Sequence, residues 1–205
     1  MKQKALNLLK IIDIMIVEYE RDKAKEIIMV AKDIFATHGF KKTTLDDIAH
    51  HLNIVKSAIY HYYRSKEDLF CSVMEYEIDL FFNKLACDIS RRKSTEEKIV
   101  VYCINLSDRY KHLIKLYSIS VEDINMNYDN ISKIQDTFFQ KNIDILSSIL
   151  KQDKNLSNKK DIKTIAKIFI FCLRGIIRNS RNEKTEKLKR ELKMFVGIFL
   201  KGIQS

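Results

Sequence analysis

Not one of the 205 residues is proline, and only four are glycine. Proline locks φ and removes a backbone donor, and glycine loses the most freedom on ordering, so both interrupt helices. A chain this poor in them can run in long unbroken helices. Apolar residues recur along it at i, i+3, i+4 and i+7 rather than in alternation, which points the same way. The expectation is an all-α protein.

The periodicity predicts a first core helix near Arg21 to His38, with Ala24, Ile27, Ile28, Ala31, Ile34 and Phe35 as its inner stripe. A long helix follows from about Lys66 to Arg91, striped by Leu69, Phe70, Val73, Met74, Ile78, Phe81 and Leu85. Ser94 with Glu97 has the form of a capping box and opens a helix through Tyr117. The polar stretch 120–130 reads as a loop with a helical turn, Ile131 to Lys151 as a helix carrying Ile134, Phe138, Ile145 and Ile149, and 152–161 as a second loop. Residues 162–181 form a helix apolar almost all round from Ile165 to Leu173, a pattern that asks for burial on more than one side. The last helix, Thr185 to Ile203, places Leu188, Leu192, Phe195, Val196, Phe199 and Ile203 at helical spacing. Gly175 and Gly197 are positions where helices could approach closely.

The segment 43–70, TTLDDIAHHLNIVKSAIYHYYRSKEDLF, has a different grain. Thr44 suits an N-cap, and Ile48, Ala49 and Leu52 give a short helix its apolar face. Asn53 falls where the chain must turn and tolerates a left-handed backbone. Val55 to Tyr62 then form a second short helix. Ile59 and Tyr63 point inward, while Lys56, Ser57, Ala58, His61 and Tyr62 point out. Ser65 and Asp68 cap a third. Two short helices joined by a tight turn are the elements of a helix-turn-helix that enters a major groove. Lys56 can donate to guanine or meet a phosphate, Ser57 can bond a base edge, and Ala58 can pack on a thymine methyl. Tyr60, His61 and Tyr62 carry tips able to bond phosphate oxygens, and Thr44 and Lys66 lie at helix N-termini. The plainer reading is a helical hairpin with solvated polar residues. The cluster Tyr60 to Tyr63 argues against it, because those rings cannot all be buried on one side of a helix.

The same residues carry a family resemblance. From Ala24 to Phe70 the chain resembles the DNA-binding domain of TetR-type transcriptional regulators. Phe35 and Gly39-Phe40 match an amphipathic helix and a glycine-aromatic turn. Thr43-Thr44 and Ile48-Ala49 match the helix after it, and Lys56 to Leu69 match the family's Lys-Gly-Thr-Leu-Tyr-x-Tyr-Phe-x-Ser-Lys-Glu-x-Leu pattern. Asn53 stands where the family often has glycine, Val55 where it often has serine or threonine, and Ser57-Ala58 where it has Gly-Thr. The last two occupy base-reading positions, so an operator cannot be carried over from relatives. The resemblance implies three divisions: a helical extension (1–20), a helix-turn-helix DNA-binding domain (21–68), and a helical-bundle domain for ligand binding and dimerisation (69–205). It also implies a homodimer whose final two helices form a four-helix interface, a pseudo-palindromic double-stranded operator, and a repressor released by a small-molecule inducer. A regulator with the same DNA reader but no ligand, binding the chromosome or answering to another protein, is the alternative.

Charge supports this reading locally rather than globally. The formal net charge is +10. Residues 1–70 hold 12 basic and 10 acidic side chains, 71–150 hold 10 and 12, and 151–205 hold 15 and 5. The excess therefore lies in the C-terminal quarter, as a solvated face or a long-range field toward DNA. Cys71, Cys87, Cys103 and Cys172 are scattered with no CxxC pair, which suits reduced thiols of the cytoplasm, buried for structural reasons. LNLLKIIDIMIV near the N-terminus is interrupted by Lys10 and Asp13 and is too short to span a bilayer, so no membrane role is expected, and Met15 is a possible native start. No nucleophile motif, metal spacing or phosphate loop is present, and no cofactor and no enzyme activity are expected. Candidates for lining a ligand pocket are Tyr102, Asn105, His112, Tyr117, Met126, Phe138, Phe139, Phe169 and Arg174, each also explicable as core packing. Arg174 and Arg178, four apart on the apolar helix, are candidates for holding an anionic ligand or for pairing across a dimer.

Overall fold

The computed structural model describes residues 2–117, 128–157, 161–180 and 185–204, with side chains described at 15, 17–110, 132–157, 161–180 and 185–204. Among them every regular element is an α-helix: α1 Lys2–His38, α2 Leu45–His51, α3 Lys56–Tyr62, α4 Lys66–Ser90, α5 Thr95–Tyr117, α6 Tyr128–Lys151, α7 Ile162–Asn179 and α8 Thr185–Gln204. The expected extension and first core helix are one continuous helix. The 120–130 segment is described only from Tyr128, where α6 has already begun, three residues ahead of the sequence expectation. The chain divides into two compact units, and the division at Tyr76–Glu77 falls inside α4.

The first unit is built on an aromatic triad. Phe35 from α1, Phe40 from the following turn and Phe70 from α4 stand with ring centroids 5.0–5.7 Å apart. Such pairs add roughly 0.5–1.5 kcal/mol each beyond the area they bury. Ile27, Ala31, Ile48, Ile59, Leu69 and Val73 complete the core around them. α1 ends because Gly39 adopts φ +79°, and its N–H closes on Phe35 O at 2.9 Å. The buried Thr43 hydroxyl donates to Gly39 O at 2.9 Å. Lys66 fastens this turn to α4: its ammonium donates to Phe40 O and Thr43 O, both at 3.0 Å, and lies 4.3 Å from the Phe40 ring centroid.

The second unit packs α5 to α8 and the rest of α4 around one apolar core that includes Leu85, Ile99, Leu146, Ala166, Leu173, Leu192 and Val196. The Ser94–Glu97 box forms as expected, with Glu97 N on Ser94 Oγ at 3.1 Å and Ser94 N on Glu97 Oε2 at 3.2 Å. α6 differs from expectation. Ile134, Phe138 and Ile145 are only half-buried, and the buried face runs through Asn142, Ile143, Leu146, Ile149 and Leu150. Asn142 is admitted because Tyr102 donates to its Oδ1 at 2.8 Å and its own Nδ2 donates to Phe138 O at 2.6 Å. Cysteine placement also departs from expectation: Cys103 is buried, Cys71 half-buried, and Cys87 and Cys172 are exposed. Burial pushes the Cys103 thiol far above its ordinary range. Among the described residues no helix is long and apolar enough to cross a membrane.

Two outcomes follow from these buried hydroxyls. Tyr102→Phe strips a partner from the buried Asn142 amide and should cost about 1–3 kcal/mol in urea unfolding. Tyr63 donates to Ala24 O at 3.0 Å, and burial, aided by Asp68 and Tyr62, raises its hydroxyl to about 12, against roughly 10 in the unfolded chain. The folded state holds this proton more tightly. Its stabilising share is therefore whole below about pH 10 and is lost as pH climbs from there through 12. In an alkaline stability titration, Tyr63→Phe should lose less than the parent across that window.

Candidate nucleic-acid interface

Three local devices present α3. The first is the N-cap of α2. Asp47 N bonds Thr44 Oγ1 at 3.2 Å, while Thr44 N and Oγ1 both donate to Asp47 Oδ2, at 2.7 and 2.8 Å. These bonds, the backbone one foremost, hold the Asp47 carboxyl below its usual range. The second is the turn. Asn53 takes φ +51°, Asn53 N bonds His50 O at 3.1 Å, and Ile54 N bonds Ala49 O at 3.0 Å. That pair of bonds around a left-handed residue is a Schellman ending, which closes α2 and turns the chain within two residues. The third is the anchor beneath α3: Ile59 is fully buried, and Tyr63 at the C-cap reaches α1. Val55, the N-cap of α3, makes no side-chain cap, so nothing of its own side chain closes the first turn.

Lys56, Ser57, Tyr60 and His61 are exposed, while Ala58 and Tyr62 are half-buried. His61 Nε2 stands 3.7 Å from Glu20 Oε1 on α1, and the His61 and Tyr62 rings meet edge-on at 5.1 Å. Thr44 lies exposed at the start of α2, its hydroxyl engaged in the capping box. Lys66 is placed otherwise than the sequence suggests. Two of its donors go to carbonyls of the α1–α2 turn, so it braces the unit from within.

One residue of this surface was not singled out beforehand. Asp46, on the first turn of α2, accepts from Lys56 Nζ at 2.7 Å. That bond raises the Lys56 ammonium above its ordinary value. The pairing joins positions ten apart across a turn, so spacing along one helix gives no hint of it. It occupies an exposed cation at the start of α3, and it sets the first turn of α2 beside that of α3. The surface offers donors, acceptors and one methyl group.

Of the expected pocket residues, Tyr102 and Phe169 lie in one apolar core, with Phe138 and Phe139 packed against it. Tyr102 is buried on Asn142, and Asn105 donates to Val101 O at 3.0 Å. Phe138 packs on Phe81 and Phe82, and Phe139 on Phe171. Phe169 belongs to a separate aromatic group, 4.9 Å from Phe195 and 4.7 Å from Phe199. Arg174 and Arg178 lie on the exposed face of α7. The side chains of His112, Tyr117 and Met126 lie outside the described residues. Among the described residues no cluster of His, Cys, Asp and Glu is arranged to hold a metal.

Comparison with known proteins agrees with this geometry. Residues 27–73 match the family described as bacterial regulatory proteins, tetR family. The chain is 22% identical over 182 residues to the HTH-type transcriptional regulator QacR of Staphylococcus aureus, covering 87% of this chain and 96% of that one. Its fold matches a transcriptional regulator from Cytophaga hutchinsonii with TM-score 0.73 at 24% identity, covering 89% of this chain and 99% of the other. It also matches the transcriptional regulator FadR from Bacillus subtilis, solved in complex with stearoyl-CoA, with TM-score 0.60 at 17% identity, covering 84% and 96%. Over residues 27–73 the chain matches the tetR family of bacterial regulatory proteins, and the relatives to which it is similar are helix-turn-helix regulators of transcription.

Proposed function

We propose that the protein is a homodimeric, sequence-specific repressor that leaves its operator when a small molecule binds the second unit. It acts by binding rather than by catalysis, in the cytoplasm where the chromosome is. The observation that carries the DNA-reading half is the exposed polar face of α3, presented by the Asn53 turn and backed by Ile59 and Tyr63. In this reading Lys56, Ser57 and Ala58 meet base edges. Thr44, Tyr60, His61 and Tyr62 meet the backbone, and Lys66 keeps the turn in place while its remaining donor faces phosphate.

The second unit supports dimerisation. Ile168 and Phe171 on α7 are 53% and 52% exposed, and Met194 and Ile198 on α8 are 64% and 65% exposed. Apolar side chains this open on two neighbouring helices suit a partner surface. A Cβ added at Gly175 or Gly197 would meet nothing within 4 Å in this chain. Close approach there is thus left to a second copy, and four helices about a two-fold axis would bury this face. Two α3 helices could then address two half-sites. The fold shared with FadR, a protein solved with an acyl-CoA, and the aromatic interior around Phe81, Phe82 and Phe138 support a ligand in this unit.

Binding can be measured by fluorescence anisotropy on sequences recovered from a random DNA pool. Lys56→Ala and Ser57→Ala should change preference between sequences by about 1–3 kcal/mol, and Tyr62→Ala should weaken all sequences alike. Asp46→Asn releases Lys56 and should tighten binding to every sequence, most at low salt. If all four variants bind as the parent does, α3 is not the reader. In sedimentation the parent should run as a dimer and the double variant Phe171→Glu, Ile198→Glu as a monomer. A monomeric parent would remove the two-fold arrangement.

A further inference from the structure

The second unit contains a buried charge whose hydrogen bonds are incomplete. Arg109 on α5 is about nine-tenths buried, with 10% of its side chain exposed, and Glu77 on α4 has 6% exposed. Arg109 Nη1 donates to Glu77 Oε2 at 2.7 Å. Its Nε and Nη2 are buried with no hydrogen-bond partner among the described residues. A guanidinium carries five N–H donors in a rigid plane. Nε–H and one N–H of Nη2 point the same way and form the side fork that receives both oxygens of a carboxylate. The pair with Glu77 leaves this fork open. Buried polar groups are almost always bonded, and a charged donor left unmet is costlier than a neutral one, so an open buried fork calls for an occupant.

The surroundings narrow the occupant. The guanidinium carbon lies 5.8 Å from the centroid of the Phe81 ring. Phe81 meets Phe82 at 5.1 Å, and Phe138 stands 6.1 and 5.4 Å from the two. Phe81 and Phe82 are each 8% exposed. Phe82 also lines an open recess of about 400 Å³ between α4 and α6, whose other walls are Asp79, Asn83, Lys141, Asp144 and Ile145. Lys141 pairs with Asp79 there, so the recess is polar at its rim and meets the aromatic cluster only at Phe82. The guanidinium itself borders the apolar aromatic cluster at Phe81.

We propose that Arg109 is the anchor of a binding site for an amphipathic carboxylate, whose two oxygens take the Nε/Nη2 fork while its apolar tail packs among Phe81, Phe82 and Phe138. The proposal deepens the reading of the second unit as a ligand domain and rests on it. Glu77 keeps Nη1 and so holds the guanidinium plane in the orientation that presents the fork. Lysine at this position would retain a charge for Glu77 but has no fork.

The test is calorimetric titration of the full chain with straight-chain carboxylates from octanoate to stearate, their methyl esters and the matching 1-alkanols. At least one carboxylate should bind saturably, with its ester and alkanol weaker by about tenfold or more, as expected for loss of a charge-assisted bidentate contact. Arg109→Lys and Arg109→Gln should lose about tenfold or more for the carboxylate and leave alkanol binding unchanged. Arg109→Gln removes the charge paired with the buried Glu77 carboxylate; if that variant does not fold, Arg109→Lys and the acid-against-ester comparison on the parent decide. No saturable carboxylate binding, an ester that binds as well as its acid, or an Arg109→Lys protein that binds like the parent each overturns the proposal. Operator release is measured separately. A carboxylate that binds through Arg109 without loosening DNA upholds the anchor and removes the induction reading. An alkanol that releases DNA, with no carboxylate binding, does the reverse.

Discussion

A seven-residue helix cannot hold its own direction. α3 has too few internal hydrogen bonds to persist alone, since helix nucleation costs more than one turn returns. Its place comes from outside itself: the left-handed Asn53 before it, the buried Ile59 beneath it, and the Tyr63 hydroxyl bonded to α1 after it. Everything proposed for DNA recognition depends on those three constraints. The Phe35–Phe40–Phe70 triad and the Lys66 brace act one layer further down, keeping α1, the turn after it and the start of α4 in a fixed relation.

The second unit uses polar atoms differently. Its core is aliphatic and aromatic, yet two buried polar pairs cross it, Tyr102 with Asn142 and Arg109 with Glu77. The first is satisfied on both sides, because Asn142 spends its amide on Phe138 O. Such a closed pair fixes the register of α5 against α6 without leaving a group unmet. The second is open on one side of the guanidinium. In one low-dielectric interior, a closed pair is structural and an open one is available for chemistry.

Local features were legible in the chain because their physics is local. Thr44, Ser65 and Ser94 each cap a helix within three residues, and all three form the bonds their spacing suggests. Asn53 turns where a turn was required. The inward pair Ile59 and Tyr63 and the outward Lys56, Ser57 and His61 follow from helical periodicity. Other features escaped the sequence reading because they are set by partners distant in the chain. Asp46 lies ten positions from Lys56 on a different helix and is bonded to it across the turn. Lys66 looked free for phosphate and is held by two carbonyls. Arg174 looked buried with its apolar helix and faces out. Arg109, flanked by polar residues on α5, gave no sign of being buried.

Composition and periodicity were enough to establish helices, their capped ends and the helix-turn-helix, because these depend on φ preferences, caps and the spacing of apolar residues along one element; the starts of α1 and α6 lie ahead of where the pattern put them. They could not say which side of an all-round apolar helix would meet the core. On α7, Phe169 goes in against Phe195 and Phe199 of α8, while Ile168 and Phe171 stay half-exposed, Phe171 with one face on Phe139 of α6. Nor could they show which polar side chains would be taken from water, as with Asn142 and Arg109. Burial of that kind is a property of two or more helices packed together, so it exists only once the tertiary fold has formed.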